Sequence, residues 1–330
     1  MASLQINFSR LSKLMFGLLT LLVLGTAAAQ MTYPQKPIRL VVPFPPGGAA
    51  DILARGLAPQ LGVSLGQQLV VDNRPGANGV IGFDLVARAP ADGYTALLGF
   101  TTGVAVNPLL VAKIPYDSVK DFTGVSMLAR TPMVLIASPA FKASSVKDLV
   151  ALAKATPGKI TYGSPGIGNP NHLAGELFKS IAGVNLPHVP YKGAALVITD
   201  VIGSHIPIAF VTLAAALPQV RAGRLKSLAV TSDKRSPAAS SIPTMSEAGQ
   251  PGVEVVEWFG ILVPAATPKP VISRLNEEIV KVVRSPEVHG RFSEQGLEPV
   301  TTSVDEFASV IRSDIAKMAG IIKKAGIRAE

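Results

Sequence analysis

The residues of this chain best placed for chemistry are backbone groups beside glycines rather than a set of reactive side chains. Pro43-Phe44-Pro45-Pro46-Gly47-Gly48-Ala49-Ala50-Asp51 follows an apolar, β-branched run at 38–42 and precedes Leu53, Leu57 and Leu61 at helical spacing. A strand, a glycine turn and a helix N-terminus in that order bring unpaired N–H groups to the positive end of a helix dipole, which suits an anion. A plain βα turn would use the same residue types, and this stretch alone leaves both readings open. Ser164-Pro165-Gly166-Ile167-Gly168-Asn169-Pro170-Asn171 repeats the pattern in the other half of the chain, between a strand at 159–163 and a helix at 172–182. Two such loops facing across a cleft would hold a carboxylate through N–H groups, hydroxyls and trapped waters.

Other chemistries fail on spacing. Gly166-Ile167-Gly168 matches two glycines of a dinucleotide loop, but Asn171 stands where the third must be small, and the loop lies mid-chain. There is no phosphate-binding P-loop, and Ser164 is not in a G-x-S-x-G elbow. His172, His188, His205 and His289 show no metal-binding spacing. His172 reads either as a hydrogen-bonding group at a helix start or as a ligand contact beside Ser164 and Asn169. No cysteine occurs, which excludes disulfides, thiolate metal sites, cysteine nucleophiles and a lipid-modified N-terminal cysteine. The expectation is binding without catalysis, with no metal and no cofactor.

The elements that must position these loops can be placed in outline. Arg10 and Lys13 precede a short apolar run at 14–24 and Ala27-Ala28-Ala29, the layout of a signal peptide at 1–29 cleaved after Ala29 and an exported, periplasmic mature chain. At 330 residues, two domains are expected. Net charge is +9, or +7 without Arg10 and Lys13, and the basic residues are scattered. With 5% aromatics there is no stacking face for nucleic acid. Strands at 68–73, 94–99, 132–137, 188–190, 206–211, 226–231 and 254–263 alternate with helices, which argues for βα units and a mainly parallel sheet. Ser145, Thr267 and the Ser303-Val304-Asp305-Glu306 box read as helix N-caps. The last helix has Phe307, Ile311 and Ile315 on one face.

A longer set of motifs goes further. Tyr33-Pro34 with Pro37-Ile38-Arg39, the 42–51 loop, Asn73-Arg74-Pro75-Gly76-Ala77 and Ala91-Asp92-Gly93-Tyr94-Thr95 are followed by Asn107-Pro108 and Tyr116-Asp117 with Lys120-Asp121-Phe122. Then come Gly163-Ser164-Pro165-Gly166, Val189-Pro190-Tyr191-Lys192-Gly193, Thr199-Asp200, Leu228-Ala229-Val230-Thr231 and Trp258-Phe259-Gly260. In this order the chain resembles the Bug-type periplasmic solute-binding proteins of tripartite tricarboxylate transporters over its whole mature length. The resemblance implies an α/β, two-domain periplasmic-binding-protein fold (Venus flytrap, type II) with crossing hinge strands. Domain 1 would be 31–130 plus 256–330, and domain 2 would be 131–255. It implies a monomer that binds a small carboxylate and delivers it to a two-subunit integral membrane permease.

Carried over by position, the first-domain ligand contacts would be Phe44, Gly48, Ala49, Asp51, Thr101, Thr102 and Asn107. The second domain would contribute Ser164, Gly166, Gly168, Asn169, His172, Tyr191, Lys192, Thr199 and Asp200, with Trp258 near the hinge. Asp51 would repel an anion, so it reads better as a first-turn acid suited to the helix dipole. Three departures from the family pattern stand out: Val211-Thr212 in place of an acid or amide, Ala195-Leu196-Val197 after Tyr-Lys-Gly, and Phe100-Thr101-Thr102-Gly103 before Asn-Pro. They make contact with a ligand ammonium less expected and favour an aromatic or partly apolar carboxylate. An exported hydrolase-like enzyme using the same cleft, or a sensor reporting to a membrane kinase, are the alternatives.

Overall fold

A computed structural model describes residues 33–327; the expected signal peptide and its cleavage point lie outside these residues. From Lys36 onward the chain packs as one compact unit. Its first half is two βα steps. Strand β1 (Ile38–Val42) leads through α1 (Ala49–Leu65) to β2 (Leu69–Asn73), and α2 (Val80–Ala87) leads to β3 (Thr95–Phe100). β1 is parallel to both β2 and β3, as strand–helix alternation requires. A wide helical turn (Thr102–Val106) and short α3 (Asn107–Leu110) then carry the chain to β4 (Phe122–Ala137).

The second half repeats the scheme with α4 (Val146–Ala155), β5 (Tyr162–Ser164), α5 (Pro170–Ala182), β6 (His188–Pro190), α6 (Ala194–Ile202) and β7 (Ile208–Thr212). After α7 (Leu213–Arg221) and β8 (Lys226–Val230), β9 (Val256–Pro264) returns to pair between β3 and β4. Then α8 (Lys269–Val283), α9 (Pro286–Glu294), β10 (Glu298–Pro299) and α10 (Val304–Ala325) follow. The strand order is β2-β1-β3-β9-β4-β7-β5-β6, with β8 and β10 also on β4. Two parallel groups therefore flank an antiparallel pair, β4 and β9, that crosses between them.

β4 shows why the strands read as continuous apolar runs: both faces are covered. Met133, Leu135 and Ala137 enter a core with Tyr162, Phe178 and Phe210, while Val134 and Ile136 enter another with Val197, Val211 and Leu217. β4 is also longer than the expected 132–137. Its first part carries Gly124, Ser126 and Thr131, and register shifts at Gly124/Ser126 and Met127/Ala129 break the alternation a sequence pattern needs. Gly124 and Gly260 are small because a Cβ on either would lie within 3 Å of the Phe307 ring of α10. Further along the same helix, Met318, Ile321 and Ile322 join the core built on Met133, Leu135 and Ala137.

Among the expected caps, Ser145 accepts from the Asp148 N–H, and Ser303 with Glu306 forms a complete capping box. Thr267 does not cap α8. Pro268 occupies the cap position, and the Thr267 hydroxyl instead donates to the Pro264 carbonyl at 2.7 Å. The helix expected from 172 begins at Pro170, a favoured first-turn residue, behind Asn169.

Candidate functional site

A cleft of about 670 Å³ opens where the two βα groups meet, a size suited to a small molecule. One wall is the expected loop after β1: Pro43, Phe44, Pro45, Pro46, Gly48, Ala49 and Ala50, continued by Pro75–Gly79 (75–79). The opposite wall is Pro165, Gly166, Asn169 and Asn171, then Tyr191 to Leu196. Strand residues Thr212, Glu257 and Phe259 close the floor.

The first wall owes its chemistry to Gly48. It is the N-cap of α1, brings no side-chain cap, and has nothing within 4 Å of the place a Cβ would occupy. The N–H groups of the first turn are thus left uncapped at the cleft wall. Asp51 lies just behind. Its carboxylate accepts from the Gly47 N–H at 3.1 Å, Asn73 Nδ2 at 3.0 Å and Arg55 Nε at 3.0 Å, and it is not part of the lining. Burial pushes its pKa up, but Arg55, Asn73 and Gly47 outweigh burial and hold it below the ordinary value. These bonds tie the carboxylate to its own loop, helix and neighbouring strand.

The second wall differs from expectation in an instructive way. The N-terminus of α5 is already occupied, because Asn169 Oδ1 accepts from the His172 N–H at 2.9 Å and Gly168 N–H donates to His172 Nδ1 at 3.1 Å. Behind it, Ser164 Oγ lies 2.8 Å from His188 Nε2 and 2.8 Å from the Gly166 carbonyl. Ser164 and His188 form a hydroxyl–imidazole pair that sequence spacing did not reveal, but Ser164 is fully buried and outside the cleft lining. Burial pushes His188 down to about 4, with His172 adding to the effect. Tyr162 donates to Glu176 at 2.6 Å, and Lys179 holds the same carboxylate at 2.8 Å. Ser164, Gly168 and His172 therefore belong to a buried network that shapes the loop.

The open helix end on this side is that of α6. Its N-cap is Gly193, at φ 119°, with no side-chain cap and nothing within 4 Å of a Cβ position. Gly193, Ala194 and Ala195 all line the cleft beside Lys192. Asp200, outside the lining, accepts from the Tyr191 hydroxyl at 2.7 Å and so orients a lining residue. Thr199 Oγ1 donates to the Ala195 carbonyl within the helix at 2.9 Å, and Thr199 is not part of the cleft lining.

The structure also moves several expected contacts off the lining. Thr101 and Thr102 are fully buried, and Thr101 Oγ1 accepts from the Trp258 N–H at 3.1 Å. Asn107 Nδ2 donates to the Asn78 carbonyl at 3.1 Å and so supports the loop at 75–79 from below. Trp258 turns the other way, donating from Nε1 to Asp314 at 2.7 Å and meeting Phe307 edge-on at 5.2 Å. Successive strand residues alternate faces, so its neighbours Glu257 and Phe259 are the ones in the cleft. Asn78, at φ 51°, reaches across to donate to the Ile167 carbonyl, joining the two walls at one edge.

Of the expected residues, Phe44, Gly48, Ala49, Gly166, Asn169, Tyr191 and Lys192 converge on the cleft. Asn78, Asn171, Glu257 and Phe259 were missed. Glu257 is 6% exposed with no hydrogen-bond donor or cation on its carboxyl group among the described residues, and burial raises its pKa to about 8.

Two parallel βα groups, an antiparallel crossing pair and a cleft between them make this a periplasmic-binding-protein fold. Residues 53–327 match the tripartite tricarboxylate transporter family receptor, TctC, and the chain belongs to that family. It is similar to protein BugT of Bordetella pertussis, 38% identical over 298 residues, covering 90% of this chain and 91% of that one. Among solved structures it is similar to R. palustris Rpa4515 with adipate, at 36% identity and a TM-score of 0.88, covering 90% of this chain and all (100%) of that one. It is also similar to the periplasmic binding protein BugD, at 34% identity and a TM-score of 0.84 over the same shares, 90% and 100%.

Proposed function

We propose that the chain is a periplasmic receptor that binds a small organic carboxylate in this cleft and delivers it to a two-subunit integral membrane permease. It works as a monomer, without catalysis, metal or cofactor. The observation that carries this reading is the pair of uncapped helix N-termini, at Gly48 and Gly193, that line one cleft. Such ends offer N–H donors and a positive dipole to an anion. The adipate in Rpa4515, a dicarboxylate, supports the same ligand chemistry. Domain 1 (31–130 plus 256–330) and domain 2 (131–255) would open about β4 and β9, a motion that would break the contact of Asn78 with the Ile167 carbonyl.

The apolar lining by Phe44, Phe259, Leu196 and the prolines supports a ligand with an apolar body. A thermal-shift panel tests this. Benzoate-type acids or adipate are expected to raise Tm more than citrate does, and citrate stabilisation without theirs would overturn it. Native mass spectrometry of freshly purified protein should show a retained small acid.

A further inference from the structure

The sequence pattern suggested that an acid or amide is lacking at Thr212, and with it a seat for a ligand ammonium. The floor of the cleft supplies a carboxyl group from the crossing strand instead. Glu257 lies on β9, two residues before Phe259, and both point into the cleft while Trp258 between them points away. In the β4–β9 ladder Glu257 sits opposite Thr131, whose hydroxyl donates to the Gly296 carbonyl. Thr212, at the end of β7, is the other strand residue beside it in the floor. Asn171 also lines the cleft, 4% exposed, and its Oδ1 has no donor. Among the lining groups, the Asn171 amide oxygen on the wall thus lacks a donor and the Glu257 carboxyl on the floor lacks a partner.

Buried acceptors need donors. A second carboxylate on the ligand could be met only by the proton of neutral Glu257 and would leave Asn171 Oδ1 still without a donor. An ammonium brings three donors and a compensating charge. The spatial division is consistent with this: helix ends and Lys192 at the walls for the anion, an acid at the floor for a cation.

We propose that Glu257 is a specificity-determining residue whose carboxylate seats an ammonium group carried by the ligand at the end remote from its own carboxylate. This rests on the carboxylate-receptor reading above. The other titratable groups of the lining are Tyr191 and Lys192. Arg130, next to Thr131 on β4, is paired with Glu298 at 2.7 Å, and Asp314 on α10 accepts from Trp258 Nε1 at 2.7 Å. Without ligand, burial keeps Glu257 largely protonated at neutral pH. Seating an ammonium converts the acid to carboxylate, and the released proton goes to the buffer.

The test is titration calorimetry with 6-aminohexanoate, hexanoate, adipate and hexylamine, at pH 7 in two buffers of different ionisation enthalpy. The proposal expects 6-aminohexanoate to bind at least roughly tenfold tighter than hexanoate or adipate, with release of about one proton. Glu257→Gln, which keeps the shape of the neutral acid, should abolish both the preference and the proton release while hexanoate binding persists. Hexanoate or adipate binding as tightly as 6-aminohexanoate overturns the ammonium seat alone. A preference that survives in Glu257→Gln overturns it as well. Hexylamine binding as tightly as 6-aminohexanoate, with loss in Glu257→Gln, supports the seat and overturns the carboxylate reading.

Discussion

Loops 43–51 and 164–171 have the same ingredients, prolines and glycines between a strand and a helix, yet they serve the cleft differently. At α1 the cap is Gly48, which contributes no side chain, and Asp51 reaches back to Gly47 rather than to the cleft. At α5 the cap is Asn169, whose side chain satisfies the helix end, and His172 takes the Gly168 N–H. One helix end is left open and the other is closed. The open end on the second side is supplied by α6 and Gly193 instead. What separates an open helix end from a closed one here is whether the side chains nearby already satisfy the N–H groups.

The comparison can be broken most sharply at Gly48. Its φ of −88° and the empty space around it mean that Gly48→Val adds bulk without backbone strain. Affinity for the best carboxylate of the panel should fall on the order of 100-fold by calorimetry, with Tm unchanged; an unchanged Kd would remove α1 as a carboxylate seat. Asp51→Asn should instead cost about 1–2 kcal/mol of stability at neutral pH in urea titrations, through its lost charge-assisted bonds, and leave affinity nearly intact. Because the folded pKa of Asp51 lies below the unfolded value near 3.8, its contribution is present above that pH and is lost as pH falls through the folded value. The gap between variant and wild type should therefore close in acid; a gap that stays constant down to pH 2 argues against the carboxylate as its cause.

Ala194→Asp places a carboxylate in the open first turn of α6. It should weaken carboxylate binding by roughly tenfold without loss of Tm, since an acid there complements the dipole. Unaltered affinity would confine anion binding to α1. The smallest effect is expected at the closed end. Asn169→Ala removes a cap worth about 1 kcal/mol in unfolding experiments, with affinity changed by less than about threefold. A loss comparable to that of Gly48→Val would erase the distinction between open and closed ends.

Much of this was legible in the residues. The βα alternation, the loop after β1 and the capping box at Ser303 are local patterns, and local physics reads them. Phe44, Gly48, Tyr191 and Lys192, which line the cleft, follow instead from the resemblance of their motif loops. The motif match carries Trp258 over to the site, but the face a strand residue takes is fixed by register, which is a long-range property. Glu257 was passed over beside it for that reason. The closure of α5 by Asn169 was accessible in principle, since Asn before Pro is a cap signal. The Ser164–His188 contact was not, because the two residues meet only when β5 pairs with β6.

The C-terminal helix α10 constrains how such a cleft can open. Its Phe307 end is locked into glycine notches on β4 and β9, and its Met318–Ile322 (318–322) end is sunk in the core of the second βα group. A hinge motion that pulled the latter end free would expose three apolar side chains, at about 1.5–3 kcal/mol each. If the two βα groups part as proposed, this packing favours an axis close to α10, which would be the spine of the book, with the pages parting at the cleft while the spine stays glued.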